Sequence, residues 1–229
     1  MNDAIAMIRT KIFANFSLPL FLNERNKYPL GAVVGVITIF LYVTSNHYHL
    51  FEPMLLPMSG IDRIVPFMPN TVWIYTSEYF YFVVIYIFVK DFENANKFLY
   101  SFMALQIISV LIFWLWPTTF PRGNFPLPED LNAVTYWLFS SVRTADTPAN
   151  CAPSLHVSSC YLCSFIYLDD QREKFWFFFL WACAIAASTL TTKQHYLIDV
   201  VLGFLMAVIV YWVFHRLVQY RPRKIGTGH

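Results

Sequence analysis

Two residues near the end of the chain have the types and spacing for nucleophilic phosphoryl transfer. His195 and Asp199 are four residues apart, so on a helix they share one face. The aspartate can hold one ring nitrogen of the histidine, which leaves the other nitrogen as a lone pair suited to attack phosphorus. The alternative is a hydrogen bond that only staples the start of a helix.

A second histidine, His156, follows Pro153, Ser154 and Leu155. Proline and serine are common at helix starts, and the free amides of a first turn favour an anion. A histidine among those amides could protonate a leaving oxygen. The alternative is a capped helix that carries an interfacial histidine.

Cations complete a possible phosphate site. Arg122 offers a planar fork that matches phosphate oxygens, and Lys193 offers a point charge. Each could instead anchor the chain at lipid headgroups, and Arg143 is a weaker candidate of the same kind. Two histidines, an orienting acid and two cations would together suit phosphoryl transfer, because that chemistry depends largely on positioning and charge stabilisation.

The composition predicts that membrane helices hold these residues. Hydrophobic residues make up 57% of the 229 residues and charged residues only 13%, whereas soluble domains carry about 25% charged residues. A membrane span needs roughly 20 mostly apolar residues. The sequence therefore predicts an all-α polytopic membrane protein with a bundle of six transmembrane helices. These helices lie at about 29–46, 70–89, 98–116, 154–168, 175–192 and 195–214.

The basic residues predict the orientation of the six helices. Twelve of the sixteen Lys and Arg residues fall on the side that holds both termini, which makes that side cytoplasmic by the positive-inside rule. The four exceptions are Arg63, Arg122, Arg143 and Lys193. The candidate active site therefore faces away from the cytoplasm. That face is periplasmic or extracellular if the membrane is a bacterial inner membrane, and lumenal in a eukaryote.

The rest of the chain divides around the bundle. Residues 1–27 are predicted as an N-terminal interfacial helix with a charged linker, 28–217 as the catalytic membrane domain, and 218–229 as a basic cytoplasmic tail. The proline-bearing segments 50–69 and 117–153 are predicted as loops on the outer face. Long ordered loops often carry function.

Several remaining polar residues have less specific interpretations. Cys160 and Cys163 are expected to pack as small hydrophobes, since no second cysteine pair accompanies them. Glu78 could pair with a cation of the site or shape an acceptor pocket, and a polar contact between helices is favoured. His47 and His49 suit the membrane interface better than a metal site. Without a basic run interleaved with aromatics, nucleic-acid binding is not expected.

The motifs of this chain resemble those of the type 2 phosphatidic acid phosphatase superfamily. The likeness comprises Pro-Ser-x-His, His-x-x-x-Asp and an upstream arginine-bearing loop, over about residues 50–215. The resemblance implies that His195 is the nucleophile, forms a phosphohistidine and is oriented by Asp199. It also implies that His156 is the general acid, that Arg122 and Ser154 bind phosphate, and that neither a metal nor a cofactor is needed.

The chain departs from the usual family motifs at four positions. Leu115 stands where the family has a lysine, Gly123 where it has a proline, Leu155 where it has a glycine, and Thr189 where it has an arginine. The phosphate site thus lacks two cations that the family usually has, and Lys193, two residues before His195, is expected to replace one of them. These departures resemble the branch of inositol phosphorylceramide synthases and sphingomyelin synthase-like proteins.

Three functions follow as expectations. The first is a membrane lipid phosphatase that hydrolyses a lipid phosphate or diphosphate through a phosphohistidine. The second is a lipid headgroup phosphotransferase with an alcohol acceptor. The third is a non-catalytic membrane protein that binds an anionic lipid. The sequence names neither the lipid nor the acceptor, and the oligomeric state is left open.

Overall fold

The computed structural model describes residues 17–168 and 171–222. Helices dominate this part of the chain, as the sequence predicts. The α-helices, in chain order, are α1 Lys27–His47, α2 Gly60–Ile64, α3 Val72–Thr76, α4 Glu78–Phe88, α5 Phe92–Leu115, α6 Ala133–Ala145, α7 Leu155–Phe165, α8 Arg172–Thr191 and α9 Leu197–Trp212. One 3-10 turn, Pro69–Thr71, precedes α3, and another, Arg122–Asn124, lies between α5 and α6. The last helix, α9, continues into a π-helix at Val213–Leu217.

Five helical segments in the described residues are long and apolar enough to cross a membrane. They are Lys27–His47, Pro69–Phe88, Phe92–Leu115, Arg172–Thr191 and Leu197–Leu217. These correspond to five of the six predicted spans, with ends that differ by a few residues. The Pro69–Phe88 segment is not one helix, because α3 ends at Thr76 and α4 begins at Glu78. Several polar residues at this break face the site described below.

The predicted span at 154–168 is an 11-residue helix, α7, which is shorter than the roughly 20 residues that a membrane span needs. It lies at the centre of the bundle, packed against α4, α5, α8 and α9. Every residue of α7 except His156 is buried. Its serines suit that place because their hydroxyls bond back to helix carbonyls, as Ser164 does to Tyr161 at 2.7 Å. Cys160 and Cys163 are free and fully buried, so they pack in the apolar core.

The 117–153 segment contains a helix that the sequence analysis missed. Asn132 caps the start of α6, where its side chain accepts the Thr135 N–H at 2.9 Å. The apolar face of α6 buries Phe139 and Val142 against Val72 and Tyr75 of α3. At 13 residues α6 is shorter than a membrane span. It holds the 117–153 segment against α3, next to the break between α3 and α4.

Two pairs of short parallel strands close the ends of the bundle. At one end, β2 (Met54–Leu55) pairs with β3 (Thr118–Thr119), and Asn150 bridges to Thr118. These pairs tie the 50–69 and 117–153 segments together above the start of α7. At the other end, β1 (Ser17–Leu20) pairs with β4 (Gln219–Pro222).

The predicted terminal segments are only partly covered. In the range predicted as an interfacial helix, residues 17–20 form a strand instead, because they pair with the strand that follows α9. Residues 1–16 and 223–229 lie outside the described residues. The division into 1–27, 28–217 and 218–229 stays a prediction.

Candidate active site

His195 and Asp199 meet at the start of α9. The Nδ1 of His195 lies 3.3 Å from Asp199 Oδ2, and the same oxygen accepts the Tyr196 N–H at 2.9 Å. Asp199 is fully buried, and its other oxygen has no protein partner in the described chain. A neutral His195 that donates Nδ1–H to this carboxylate has the lone pair of Nε2 free.

His156 lies between two acceptors, and both come from the broken span. Its Nδ1 forms a short contact with the carboxylate of Glu78, and its Nε2 lies 3.2 Å from the carbonyl oxygen of Tyr75. The Tyr75 ring stacks on the imidazole with 4.1 Å between centroids. Only an imidazole that carries hydrogen on both nitrogens can donate to both partners. The contact joins α4 to α7, so Glu78 makes the polar contact between helices that its sequence position favours, and its partner is a predicted site residue.

The two histidine-bearing helices are joined by a close backbone contact. The Ser154 N–H donates to the Asp199 carbonyl at 3.0 Å, next to Gly203 of α9. A Cβ on Gly203 would lie 2.6 Å from the Ser154 carbonyl oxygen, so only glycine allows this approach. The Ser154 hydroxyl caps α7 by accepting the Val157 N–H at 3.3 Å.

Arg122 is held by Asp146, an acid that follows α6. The guanidinium forms an ion pair with the Asp146 carboxylate at 3.0 Å and also donates to the Asp146 carbonyl. Tyr42 and Asn46 of α1 hold the other carboxylate oxygen. The Nε of Arg122 is buried with no partner among the described residues, so one donor of the fork is uncommitted.

Arg143 adds a second positive charge beside Arg122. Its guanidinium stacks over the Phe139 ring at 4.7 Å, and its Nε and Nη2 have no partner within the described ranges. Burial, followed by repulsion from Arg122, lowers the pKa of Arg143 to about 10. Two guanidiniums against the single carboxylate of Asp146 leave an excess of positive charge, which favours an anion.

Lys193 lies near the site, but its ammonium donates to two backbone carbonyls. Its Nζ donates to the carbonyls of Asp62 at 2.8 Å and Val65 at 2.6 Å, at the end of α2. Burial lowers the pKa of Lys193, and Asp62 partly opposes that shift. Asp62 in turn accepts the Leu197 N–H at 2.8 Å, so this cluster fastens the outer loop to the start of α9.

A cavity of about 770 Å³ is lined by three of the six predicted site residues, His195, His156 and Arg122, together with Glu78 and Asp146. Asp199, Ser154 and Lys193 do not line it, and neither does Arg143. In the described part of the chain, no group of three His, Cys, Asp or Glu side chains is placed to hold a metal ion. His47 Nδ1 faces the Val43 carbonyl at 2.9 Å within α1.

A comparison with known families decides the relationship. A sequence profile described as the PAP2 superfamily matches residues 67–213, which is more than half of the chain. The chain belongs to the PAP2 superfamily. The match begins just before the broken span and ends with α9, so it includes His156, His195 and Arg122. It does not include Tyr42 and Asn46 of α1, or Asp62 and Val65 at the end of α2.

Two individual proteins are similar to this PAP2 chain. An uncharacterized protein of Methanocaldococcus jannaschii is 25% identical over 130 residues, which are 56% of this chain and 52% of that protein. The chain thus spans about half the length of this relative. The crystal structure of LpxE from Aquifex aeolicus matches with 13% identity and a TM-score of 0.43, over 93% of each chain.

Sequence reasoning did not find three of the residues at this PAP2 site. Asp146 follows α6 with no motif around it, and its role depends on the fold that brings Arg122 to it. Tyr75 contributes a backbone carbonyl and a ring face to His156, and no side-chain pattern signals a carbonyl. Asp62 had one visible signal, since Ser59 three residues before it makes a capping box.

Proposed function

We propose that this protein is a membrane lipid phosphatase that works through a phosphohistidine at His195. The observation that carries the proposal is the cavity, which has His195, His156 and Arg122 at one end and apolar helix walls along the rest. A site of this shape suits a molecule with a phosphate head and a hydrocarbon body. Membership of the PAP2 superfamily and the apolar helices support the same class of substrate.

In the first step, His195 Nε2 attacks the phosphorus atom and the bond to the lipid oxygen breaks. Asp199 holds Nδ1–H and stabilises the positive charge that grows on the ring. The free donor of Arg122 and the charge of Arg143 stabilise the phosphoryl oxygens. The leaving oxygen takes its proton from His156, which Glu78 orients.

In the second step, water replaces the lipid alcohol. His156 is now without its proton and accepts one from the water, whose oxygen attacks the phosphohistidine. The N–P bond breaks, inorganic phosphate leaves and His195 returns to its neutral form. The proton on His156 is restored, so the cycle closes with no net change in the enzyme.

We infer the membrane topology from where the described part of the chain begins and ends. The pairing of β1 with β4 brings residues 17–20 and 219–222 together at the end of the bundle opposite His195. Two segments on the same side are separated by an even number of crossings, and we take the short buried helix α7, extended by the turn at 166–168, as the sixth crossing beside the five long segments. The distribution of basic residues then supports cytoplasmic termini and an active site on the other face.

We assign Ser154 and Lys193 to positioning the site. The Ser154 hydroxyl is used as a helix cap, and Lys193 is bound to two carbonyls. Lys193→Met should lower the apparent melting temperature in detergent and change KM for a lipid phosphate by less than about threefold, against about tenfold or more for a lost phosphate contact. A large rise in KM at unchanged stability would restore Lys193 to phosphate binding.

The test is phosphate release by detergent-purified protein from a panel of lipid phosphates and diphosphates. The assay contains a chelator, and His195→Ala is run beside the wild type. Release that needs His195 and persists in chelator is the expected result. Headgroup transfer to an added alcohol without phosphate release would favour a phosphotransferase, and binding without turnover would favour a non-catalytic lipid-binding protein.

A further inference from the structure

The active-site cavity extends far beyond the reacting groups. Along α1 it is lined from Val43, near the histidines, to Tyr28, near the opposite end of the bundle. Fifteen residues of helix at 1.5 Å each correspond to about 22 Å. That length exceeds half of the roughly 30 Å hydrocarbon core of a bilayer. The cavity is therefore a long cleft between α1 on one side and α4 with α5 on the other.

The far end of the cleft is closed by a specific contact. The Tyr86 hydroxyl of α4 donates to the Lys27 carbonyl at 2.7 Å, which bridges the gap between α4 and α1. Gly31 makes room for the ring, because a Cβ there would lie 2.3 Å from Tyr86 Cε1. The Lys27 ammonium donates to the Val89 carbonyl below it. These contacts form a floor.

The middle of the cleft is open and mostly apolar, with Thr38 and Gln106 as polar exceptions. A Cβ on Gly35 would meet nothing within 4 Å, so α1 presents bare backbone to an unfilled space. Val34, Ile39, Phe82 and Phe102 line the same stretch. Water in contact with such apolar walls is unfavourable, and an empty gap loses van der Waals contacts. A hydrocarbon chain in the cleft would exclude the water and restore those contacts.

We propose that the cleft binds the hydrocarbon chain of the lipid whose phosphate lies at His195, and that the Gly31–Tyr86 floor sets the longest chain accepted. The proposal rests on the proposed lipid phosphatase function. The cleft is continuous with the reacting end, so one molecule spans both. Selection among lipids then depends on chain length measured from the phosphate.

Gly35→Phe tests the proposal, because its side chain fills the open stretch of the cleft. Val36→Phe is the matched control, since Val36 is on the same helix, is 67% exposed and does not line the cavity. Detergent-purified variants are assayed on lipid phosphates that share a headgroup and differ in chain length. Gly35→Phe should lower kcat/KM for long chains by about tenfold or more and spare the shortest. Val36→Phe should spare both.

Tyr86→Ala provides a test in the opposite direction. Opening the floor should move the optimum to longer chains. Activity of Gly35→Phe on the shortest substrate shows that the variant is folded. Equal effects of Gly35→Phe at every chain length, or none at any, would overturn the proposal.

A binding measurement separates this proposal from the phosphatase assignment. Alkyl phosphonates of increasing chain length are titrated against the wild type and Gly35→Phe. Wild-type affinity that rises with chain length, and a rise that Gly35→Phe abolishes, would support the cleft even if no substrate released phosphate. Phosphate release without any chain-length dependence of phosphonate binding would retain the phosphatase and remove the cleft.

Discussion

Replacing Gly203 by alanine should misplace the start of α7 and slow catalysis. The added Cβ would lie 2.6 Å from the Ser154 carbonyl oxygen and 3.4 Å from the Ser158 nitrogen. Real Cβ contacts keep at least 3.0 Å, so one of the two helices must retreat by about 0.4 Å or more. Because the obstacle is backbone, no side-chain rotation relieves the clash.

The cost of this clash can be bounded. Overpacking of this kind destabilises proteins by about 1–3 kcal/mol. His156 is two residues from Ser154, so its ring moves with the helix start, away from the leaving oxygen. Displacements of about 1 Å at reacting groups cost up to about 100-fold in rate. We expect kcat to fall by roughly 10- to 100-fold.

The assay compares Gly203→Ala with Gly35→Ala, the same substitution in a helix where the new Cβ meets nothing within 4 Å. Apparent melting temperature in detergent, and kcat for phosphate release from the shortest-chain substrate, are measured for both. Gly203→Ala should lose several degrees and most of its turnover. Gly35→Ala should match the wild type or gain slightly, since alanine is favoured in helices. A Gly203→Ala protein as stable and as active as Gly35→Ala would refute the reasoning.

Three further substitutions test individual side chains. Asp199→Asn should lower kcat by about 10²- to 10⁴-fold with little change in KM, because His195 loses the acceptor that orients it; a normal kcat would contradict that role. Glu78→Gln should slow release of the alcohol from an alkyl phosphate by about 10²-fold or more but spare the first-turnover release of the phenol from an activated aryl ester, whose leaving group needs no proton. Equal losses on both substrates would instead indicate a structural role. Arg143→Met should raise KM for the lipid phosphate at neutral pH, because the site loses one of its two guanidinium charges. An unchanged KM would exclude the contribution of Arg143.

The long helices could be predicted because their signal is local. An apolar run near 20 residues in length must satisfy its own backbone in lipid, and five such runs became helices at the predicted places. The contact between His195 and Asp199 could be predicted from their spacing of four residues, although His195 lies two residues before α9 and the contact is made across the start of the helix rather than along one face.

The rest of the site depends on tertiary packing. Glu78 and His156 are 78 residues apart, and only the break between α3 and α4 brings them together. From the sequence alone, the Lys193 ammonium could bind either a phosphate or backbone carbonyls. In the structure the segment at Asp62 supplies the carbonyl that it binds. The helix α6 was missed because prolines surround it, although Asn132 was a visible cap.

The central claim is that phosphorus becomes bonded to His195. Its most direct test is a rapid quench of enzyme mixed with a radiolabelled lipid phosphate, followed by peptide mapping under conditions that preserve phosphohistidine. We predict transient label on the peptide that contains His195, and no label and no phosphate release with His195→Ala. Label on another residue, or steady phosphate release by His195→Ala, would contradict the mechanism.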